Sequence, residues 1–191
     1  MPGRGAVTAG ELRATMAHLA SSVTVVTSVL DGEDVGMTAT AFCSVSLEPP
    51  LVLLAVGEDT RMYDALLDGS TWAVSILPAS ARDVASRFAA RGRPSDRLLL
   101  AELAWRRGPV TGHVLLDAAV AVLECVTEQR VPAGDHAVVI ARVVGVRTHD
   151  PGASPLLHFR GRYRTVGPAA SAAAARINPA RTAQFPDEKC R

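Results

Sequence analysis

The fold is decided by Gly36-Met37-Thr38-Ala39-Thr40-Ala41-Phe42-Cys43-Ser44-Val45-Ser46-Leu47-Glu48-Pro49-Pro50. Hydroxyl side chains recur along this stretch between small or apolar residues, and a double proline ends it. A buried structural strand would be expected to use Val and Ile where this one uses Thr and Ser. Hydroxyls that alternate along an extended segment face one way and offer hydrogen bonds to a polar ligand. The stretch therefore predicts contact with a phosphate-bearing, largely apolar cofactor.

The composition is that of one globular domain. The chain has 191 residues, of which 48% are hydrophobic, and its formal net charge is +1. A nearly neutral balance argues against a nucleic-acid partner. The only lysine is Lys189, near the C-terminal end, which disfavours chemistry by a Schiff-base lysine or a phosphate-loop lysine.

The cysteines indicate a reducing environment. Cys43, Cys125 and Cys190 are far apart and lack C-x-x-C spacing, which predicts neither a disulfide framework nor a zinc site. No secretory signal opens the chain, and no apolar run reaches the roughly 18 residues of a membrane helix. We therefore expect a cytoplasmic protein with no membrane partner.

Hydrophobic periodicity predicts many strands and few helices. Asp31-Gly32 predicts a hairpin turn. The predicted helices cover residues 10–19, 60–67 and 80–90. The predicted strands cover residues 22–30, 35–46, 51–56, 71–77, 118–130, 136–148 and 156–164, the last with a break at its glycine.

The two longest predicted strands suggest a barrel. Residues 118–130 and 136–148 are apolar at alternate positions on both sides, which predicts burial on both faces, as in a small closed barrel. Regular βα alternation and a G-x-G-x-x-G motif are both missing, which disfavours a Rossmann fold. The predicted class is mainly β with a few peripheral helices, in an antiparallel barrel. We expect a flexible N-terminus over residues 1–9, one domain over 10–166, and a tail over 167–191 that is disordered or marginally helical at 171–177.

Five blocks in order carry a resemblance to a known family. They are the opening stretch together with Val23-Thr24-Val25-Val26-Thr27, then Trp72 to Leu77, Arg87-Phe88-Ala89, Gly134-Asp135-His136 and Leu156 to Tyr163. Over about residues 10–166 the chain resembles the short-chain flavin reductases, the reductase components of two-component flavin-dependent monooxygenases. The resemblance implies a flavin-binding split β-barrel of Greek-key type, usually a homodimer. It also implies that NADH or NADPH reduces FMN or FAD, and that the reduced flavin goes to an oxygenase.

The opening stretch supplies most of the candidate flavin contacts. Backbone groups there suit the pyrimidine edge of the ring, and the small Ala side chains allow close approach. The serines suit ribityl hydroxyls or phosphate. The alternative is a strand whose hydroxyls face water. The candidate residues are Met37, Thr38, Ala39, Thr40, Ala41, Ser44, Val45 and Ser46.

Two helix ends supply further candidates. Thr60 and Arg61 open a predicted helix, where an N-terminus and a guanidinium both suit phosphate. The alternative is an ordinary helix cap and a surface arginine, and Met62 departs from the hydroxyl residue that the family commonly has there. Arg87 and Phe88 would, by resemblance, lie near the outer part of the flavin or the adenylate of FAD. The alternative is a core phenylalanine and a solvated arginine.

The nicotinamide side is assigned by resemblance. His136 would lie beside the flavin where nicotinamide docks, and is the candidate catalytic residue. Tyr163 could stack on the ring or close over it. Structural roles remain the alternative for both residues. Hydride transfer needs neither a protein nucleophile nor a metal, so positioning groups suffice.

Two other functions remain open from the sequence. One is a different flavin oxidase on a related split barrel, and the other is a non-catalytic flavin-binding protein. The choices between FMN and FAD and between NADH and NADPH also remain open, as does whether flavin is a substrate or a resident group.

Overall fold

The computed structural model describes residues 6–90, 92 and 95–167. The expected tail from residue 168 onward, with the predicted helix at 171–177, Lys189 and Cys190, lies outside the described residues. Among the described helices, none is both long and apolar enough to cross a membrane.

The described chain is mainly β, as the sequence predicts. Its helices are α1 (Ala9–Met16), α2 (Arg61–Asp68), α3 (Arg82–Ala89) and α4 (Asp96–Ala101), with a 3-10 turn at Ala79–Ala81. Its strands are β1 (Ser21–Ser22), β2 (Thr24–Leu30), β3 (Glu33–Ala39), β4 (Phe42–Leu47), β5 (Pro50–Gly57), β6 (Thr71–Ile76), β7 (Trp105–Arg107), β8 (Val114–Leu116), β9 (Ala121–Ala133), β10 (His136–Thr148), β11 (Leu157–Phe159) and β12 (Arg162–Arg164).

The main sheet has seven antiparallel strands in the order β3-β2-β6-β9-β10-β5-β4. The edge strands β3 and β4 are consecutive in the chain, and only Thr40 and Ala41 connect them. Because two residues span less than about 10 Å, the sheet curls until its two edges approach each other. The carbonyl of Ala41 accepts a hydrogen bond of 2.9 Å from the amide of Ala55 on β5. The prediction of one continuous strand over 35–46 is therefore wrong, because the chain changes sheet edge in the middle of it.

The β2–β3 hairpin is confirmed. Asp31 and Gly32 have φ values of 52° and 78°, and Leu30 pairs directly with Glu33. A two-residue loop with positive φ at both positions matches the right-handed twist of the strands. This hairpin fixes the register that brings Gly36 and Thr38 to their places.

The long strands β9 and β10 are only partly buried. The bounds of β10 are as predicted, whereas β9 begins three residues late and includes Val131 to Ala133, which were expected to form a loop. Strand β6 pairs only with Ala121–Val126 of β9, so the rest of β9 extends beyond this neighbour. Residues 128–133 are exposed as a result, and the prediction of burial on both faces is wrong. The described strands form antiparallel sheets rather than a closed barrel.

Two small sheets complete the structure. Strands β1, β11 and β12 form one of them, and β7 and β8 form the other. The strand predicted at 156–164 with a break at its glycine is a hairpin, because Arg160 and Gly161 take φ values of 50° and 70°. The helix α4 and the strands β7 and β8 were not predicted.

Buried side chains form two main clusters. One fills the inside of the curled sheet, where Phe42 of β4 meets Trp72 of β6 edge to face with ring centroids 6.4 Å apart. The other lies between the opposite side of β2 and the helices α3 and α4, and contains Val23, Val25 and Phe88. Helix α2 packs into the first cluster through Met62, Ala65 and Leu66.

Candidate functional site

A cleft of about 530 Å³ opens where β3 meets three helix ends. Its walls are the middle of β3, the N-terminus of α2, the C-terminal end of α3 and the start of α4. Five of the candidate residues line it, namely Met37, Thr38, Thr60, Arg61 and Phe88.

The cleft depends on a glycine in β3. A Cβ at Gly36 would lie 2.6 Å from Cε1 of Phe88, which is too close for any side chain to be accommodated without movement. Phe88 is fully buried, so it has little room to shift. Helix α3 therefore packs directly on the β3 backbone. Phe88 fits the alternative of a core residue, although its ring also borders the cleft. No role for Gly36 was predicted from the sequence.

The hydroxyl of Thr38 is already engaged within the chain. It donates a hydrogen bond of 2.7 Å to the backbone carbonyl of Ala85 in α3. Its neighbour Met37 is half-buried and packs on the inner cluster. At this part of the cleft the surface presented to a ligand is therefore mainly backbone and small groups, with the Thr38 oxygen still able to accept.

The N-terminus of α2 is capped as the sequence predicts. Thr60 accepts a hydrogen bond of 3.1 Å from the amide of Tyr63, and its hydroxyl donates to the carbonyl of Gly57 at 2.8 Å. Arg61 follows on the first turn and is about half exposed. The amides and positive dipole end of this turn, together with the guanidinium, make an anion-binding corner. Met62 is buried in the core and also lines the cleft beside this corner.

Arg61 is held by two carboxylates. Its Nη1 lies 3.3 Å from Oδ2 of Asp96 at the start of α4, and its Nη2 lies 3.7 Å from Oε2 of Glu33 at the start of β3. Asp96 is only 3% exposed, so the guanidinium compensates a buried charge. Asp96 was not predicted from the sequence as a site residue. A usable signal was Ser95-Asp96 before a run of leucines, which is typical of a helix start.

The second half of the opening stretch lies outside the cleft. Ala39 is buried, and its carbonyl accepts a hydrogen bond from Thr24. Beyond it the chain crosses to the other sheet edge, where a bulge interrupts the pairing of β4 with β5 at Val45. Thr40, Ala41, Ser44 and Val45 are exposed and Ser46 is half-buried.

His136 lies near the α2 end of the cleft. It is the first residue of β10 and pairs with Gly57 of β5, three residues before Thr60. Its Nδ1 and Oδ1 of Asp135 are 2.7 Å apart, and its Nε2 lies 3.6 Å from where a Cβ on Gly57 would be. The hydrogen bond from His136, and then the imidazole charge, lower the pKa of Asp135. Asp135 thus fixes the ring with Nδ1 toward its own carboxylate and Nε2 near Gly57.

Arg87 and Tyr163 do not line the cleft. Arg87 forms an ion pair with Glu102 after α4. Tyr163 of β12 packs on the second cluster beside α3. Burial raises the pKa of Tyr163, against an opposing hydrogen bond with Ser86 and the nearby charge of Arg82. Both residues have structural partners within the chain.

The cleft suits a flat ring that carries a phosphate. A largely backbone wall along β3 can contact a planar ring, and the anion-binding corner lies at one end. In the described part of the chain, no group of three or more His, Cys, Asp or Glu side chains is arranged to hold a metal ion. The arrangement is that of a site which binds and orients its ligands.

The chain matches a known family over most of its length. Residues 16–167 match the model of a flavin reductase-like domain. It is 42% identical over 175 residues to an NADH:riboflavin 5′-phosphate oxidoreductase of Streptomyces pristinaespiralis, covering 91% of this chain and 97% of that one. It is 41% identical over 149 residues to the reductase component of 4-hydroxyphenylacetate 3-monooxygenase from Thermus thermophilus, covering 78% and 91% of the two chains.

Solved structures agree with the sequence matches. The flavin reductase component of a bacterial two-component tryptophan halogenase superposes with a TM-score of 0.78 at 36% identity, covering 83% of this chain and 98% of that one. A Streptomyces globisporus NADH:FAD oxidoreductase, solved with NAD and FAD fragments, gives 0.77 at 35% identity, covering 84% and 94%.

Proposed function

The chain belongs to the flavin reductase-like family, and on this premise we propose that it is an NADH-dependent flavin reductase. It moves a hydride from C4 of the reduced nicotinamide to N5 of FMN or FAD, while solvent supplies the accompanying proton. NADH rather than NADPH is favoured because the relatives are named for NADH. The observation that carries the proposal is the cleft, in which the β3 backbone adjoins the Thr60–Arg61 corner.

The flavin ring would contact β3, with its phosphate at the corner. Met37 and Thr38 would border the ring, while Phe88 supports the wall behind it. Thr60 would offer the first-turn amides, and Arg61 would donate charge-assisted hydrogen bonds to the phosphate. Since Asp96 and Glu33 engage only one nitrogen each, other donors of the guanidinium remain for a ligand.

The crossover and β4 would contact the outer parts of the flavin. Thr40 and Ala41 directly follow the cleft-lining part of β3, so their backbone would extend the contact along the ring edge. The hydroxyls of the exposed Ser44 and the half-buried Ser46, on either side of the bulge at Val45, would bind ribityl or phosphate oxygens. Ala39 would allow the flavin ring to approach the strand closely, because its side chain is small.

His136 would position the nicotinamide. Asp135 fixes its orientation, so Nε2 would donate to or accept from the carboxamide at the α2 end of the cleft. Arg87 and Tyr163 would contact ligand only at its outermost part, because both have partners inside the chain. Catalysis by these residues consists of orienting two rings and excluding water.

We infer that the curled sheet is a split barrel. Two residues join its edge strands, and side chains from β2, β3, β5, β6 and β10 share one inner cluster. Both features are what an incompletely closed antiparallel barrel requires.

We also infer a homodimer, which forms through the outer face of β5, β9 and β10. The register places Leu53 beside Ile140, and Ala55 beside Val138 and Val131, all pointing away from the inner cluster. Four of these apolar side chains are half-buried and Val131 is exposed. A continuous apolar face of this kind marks an interface between proteins.

The reduced flavin would be passed to an oxygenase. Relatives from Thermus thermophilus and Acinetobacter baylyi are named as reductase components of monooxygenases. A cleft that opens to solvent allows the flavin to leave after reduction.

The phosphate corner provides the test. Arg61→Gln should raise the dissociation constant of FMN about tenfold and leave that of riboflavin, which has no phosphate, unchanged. Arg106→Gln is the matched control, since this arginine pairs with Asp117 away from the cleft. If Arg61→Gln and wild type bind FMN equally well, the phosphate of FMN does not bind at this corner.

A further inference from the structure

Arg130 connects two elements of the proposed site that are far apart in the sequence. It lies on β9 and pairs with Val139 of β10. Val139 is buried in the inner cluster, and directly paired residues point to the same side of a sheet, so the side chain of Arg130 lies on the inner side. Strand β6 does not reach this part of β9, and Arg130 contacts helix α2 instead.

The guanidinium of Arg130 caps the C-terminal end of α2. Its Nε donates a hydrogen bond of 2.7 Å to the carbonyl of Leu66, and its Nη2 donates one of 2.7 Å to the carbonyl of Gly69. The last carbonyls of a helix have no partner within the helix and form the negative end of its dipole. Helix α2 has no basic residue in its own last turn, so a distant strand supplies the cation and the donors.

The turn that follows α2 is tied to the same part of β9. The amide of Thr127 donates a hydrogen bond of 2.7 Å to the carbonyl of Ser70. The hydroxyl of Thr127 accepts one of 3.1 Å from Nε1 of Trp72. Arg130 extends this connection from the turn to the helix itself, so the C-terminal end of α2 is fixed to β9 by directional bonds as well as by core packing.

The other end of α2 forms the proposed phosphate corner at Thr60 and Arg61. The eight residues of the helix span about 12 Å, so Arg130 does not itself reach a phosphate there. Just before the corner, Gly57 pairs with His136 at the start of β10. The strand pair β9–β10 therefore holds α2 at both ends. Two attachments fix the direction of the helix axis, and with it the direction of the first-turn N–H groups.

We propose that Arg130 is a positioning residue for flavin reduction, which holds α2 in the orientation that binds the flavin phosphate. This rests on the proposed flavin reductase function. Without Arg130 the helix is less ordered in the free protein, and the ligand phosphate must order it on binding, at a cost in affinity. Riboflavin has no phosphate to place at the corner, so its affinity does not depend on Arg130.

The test compares FMN with riboflavin in Arg130→Gln, which loses the charge and the forked pair of donors. The dissociation constant of FMN should rise about fivefold, while that of riboflavin should change less than about twofold. The KM for FMN should rise with an unchanged kcat, because bound phosphate restores the helix. Arg130→Lys keeps the charge but not the fork, and should recover part of the lost FMN affinity. Arg106→Gln is the control, since Arg106 pairs with Asp117 away from α2.

Hydrogen exchange followed by mass spectrometry gives a second measurement. The amides of residues 61–68 should exchange faster in free Arg130→Gln than in free wild type. Saturating FMN should restore the wild-type rate, and saturating riboflavin should not. A purely structural role would lower the stability of the protein without this dependence on the phosphate.

The proposal is overturned if Arg130→Gln weakens FMN and riboflavin equally, or weakens neither. If Arg130→Gln does not fold, Arg130→Lys decides by the same ratio of dissociation constants. The proposed function survives that failure when Arg61→Gln still weakens FMN alone and wild type still reduces flavin. A wild-type protein that reduces no flavin would instead contradict the proposed function.

Discussion

Strands β3 and β4 share one stretch of sequence and have similar residues, but β3 packs against a helix whereas β4 faces solvent. On β3, Thr38 bonds to the backbone of α3, and Gly36 lies under Phe88. On β4, Ser44 is exposed, and Leu47 at the strand end is 92% exposed. The same mixture of hydroxyls and small residues thus anchors a helix in one half and faces solvent in the other.

The difference shows that hydroxyl spacing does not by itself assign a ligand. What separates the halves is the crossover at Thr40 and Ala41, which moves the chain from one sheet edge to the other. The β3 side should therefore respond to mutation mainly through stability, and the β4 side mainly through association and ligand binding.

The largest effect is expected on the outer face next to β4. Ile140→Glu would place a charge in the proposed dimer interface and should raise the dimer dissociation constant at least about a hundredfold. Sedimentation of the variant across a concentration series measures this. Val146→Glu is the control, since Val146 is exposed on the far end of β10. A wild-type protein that sediments as a monomer would show that this face pairs with no second copy.

A large effect is also expected at Gly36. Its substitution by Ala forces Phe88 or β3 to move and should lower the free energy of unfolding by about 2 kcal/mol. Urea denaturation followed by tryptophan fluorescence measures it. Ser44→Ala on β4 should change stability by less than about 0.5 kcal/mol. If the Gly36→Ala and Ser44→Ala variants lose equal free energy of unfolding, β3 and β4 do not differ in their contribution to stability.

A smaller effect is expected at the hydroxyls themselves. Thr38→Val keeps the shape but leaves the Ala85 carbonyl without its donor, at a cost of about 1 kcal/mol. Ser44→Ala should instead weaken flavin binding a fewfold with unchanged stability. Paired unfolding and flavin titrations of both variants check this reversal. If Thr38→Val and Ser44→Ala change the free energy of unfolding and the flavin dissociation constant by the same amounts, the two strands do not have the separate roles given above.

The smallest effect concerns a buried histidine near the start of β3. Burial lowers the pKa of His113, with a further lowering from Arg107, against the opposing charges of Asp34 and Glu124 and a contact with Thr71. Below the usual histidine pKa of about 6.5, the unfolded chain takes up this proton before the folded chain does. His113 therefore makes the folded state less stable as the pH falls.

His113→Gln should accordingly show a flatter loss of stability between pH 7 and pH 5. Denaturation midpoints at several pH values in this range measure the slope. Ser44→Ala, which removes no titratable group, is the control variant, and its slope should match that of wild type. An unchanged slope in His113→Gln would mean that burial does not perturb this group.

The sequence predicted best where the signal is local. The hairpin at Asp31-Gly32 depends on two adjacent residues that tolerate positive φ. The helix at α2 depends on a threonine cap and an apolar face formed within eight residues. Such features need no knowledge of distant parts of the chain.

The failures come from tertiary contacts. The break at Thr40 and Ala41 arises because the sheet curls and its edges meet, which no local pattern records. At Arg160-Gly161 the sequence predicted a break in the strand but not a hairpin, because an arginine at positive φ is uncommon. Within the site, Met37, Thr38, Thr60 and Arg61 line the cleft as candidates, whereas Asp96 comes from a short helix that packs there only in the folded chain.

The cleft is proposed to serve the reduction of flavin by NADH. Anaerobic stopped-flow mixing of the purified protein with NADH, in the presence or absence of added FMN or FAD, tests it most directly. We predict that the nicotinamide absorbance at 340 nm falls rapidly only when flavin is present, as the flavin absorbance bleaches in step. NADH that remains unoxidised with both flavins would contradict the account.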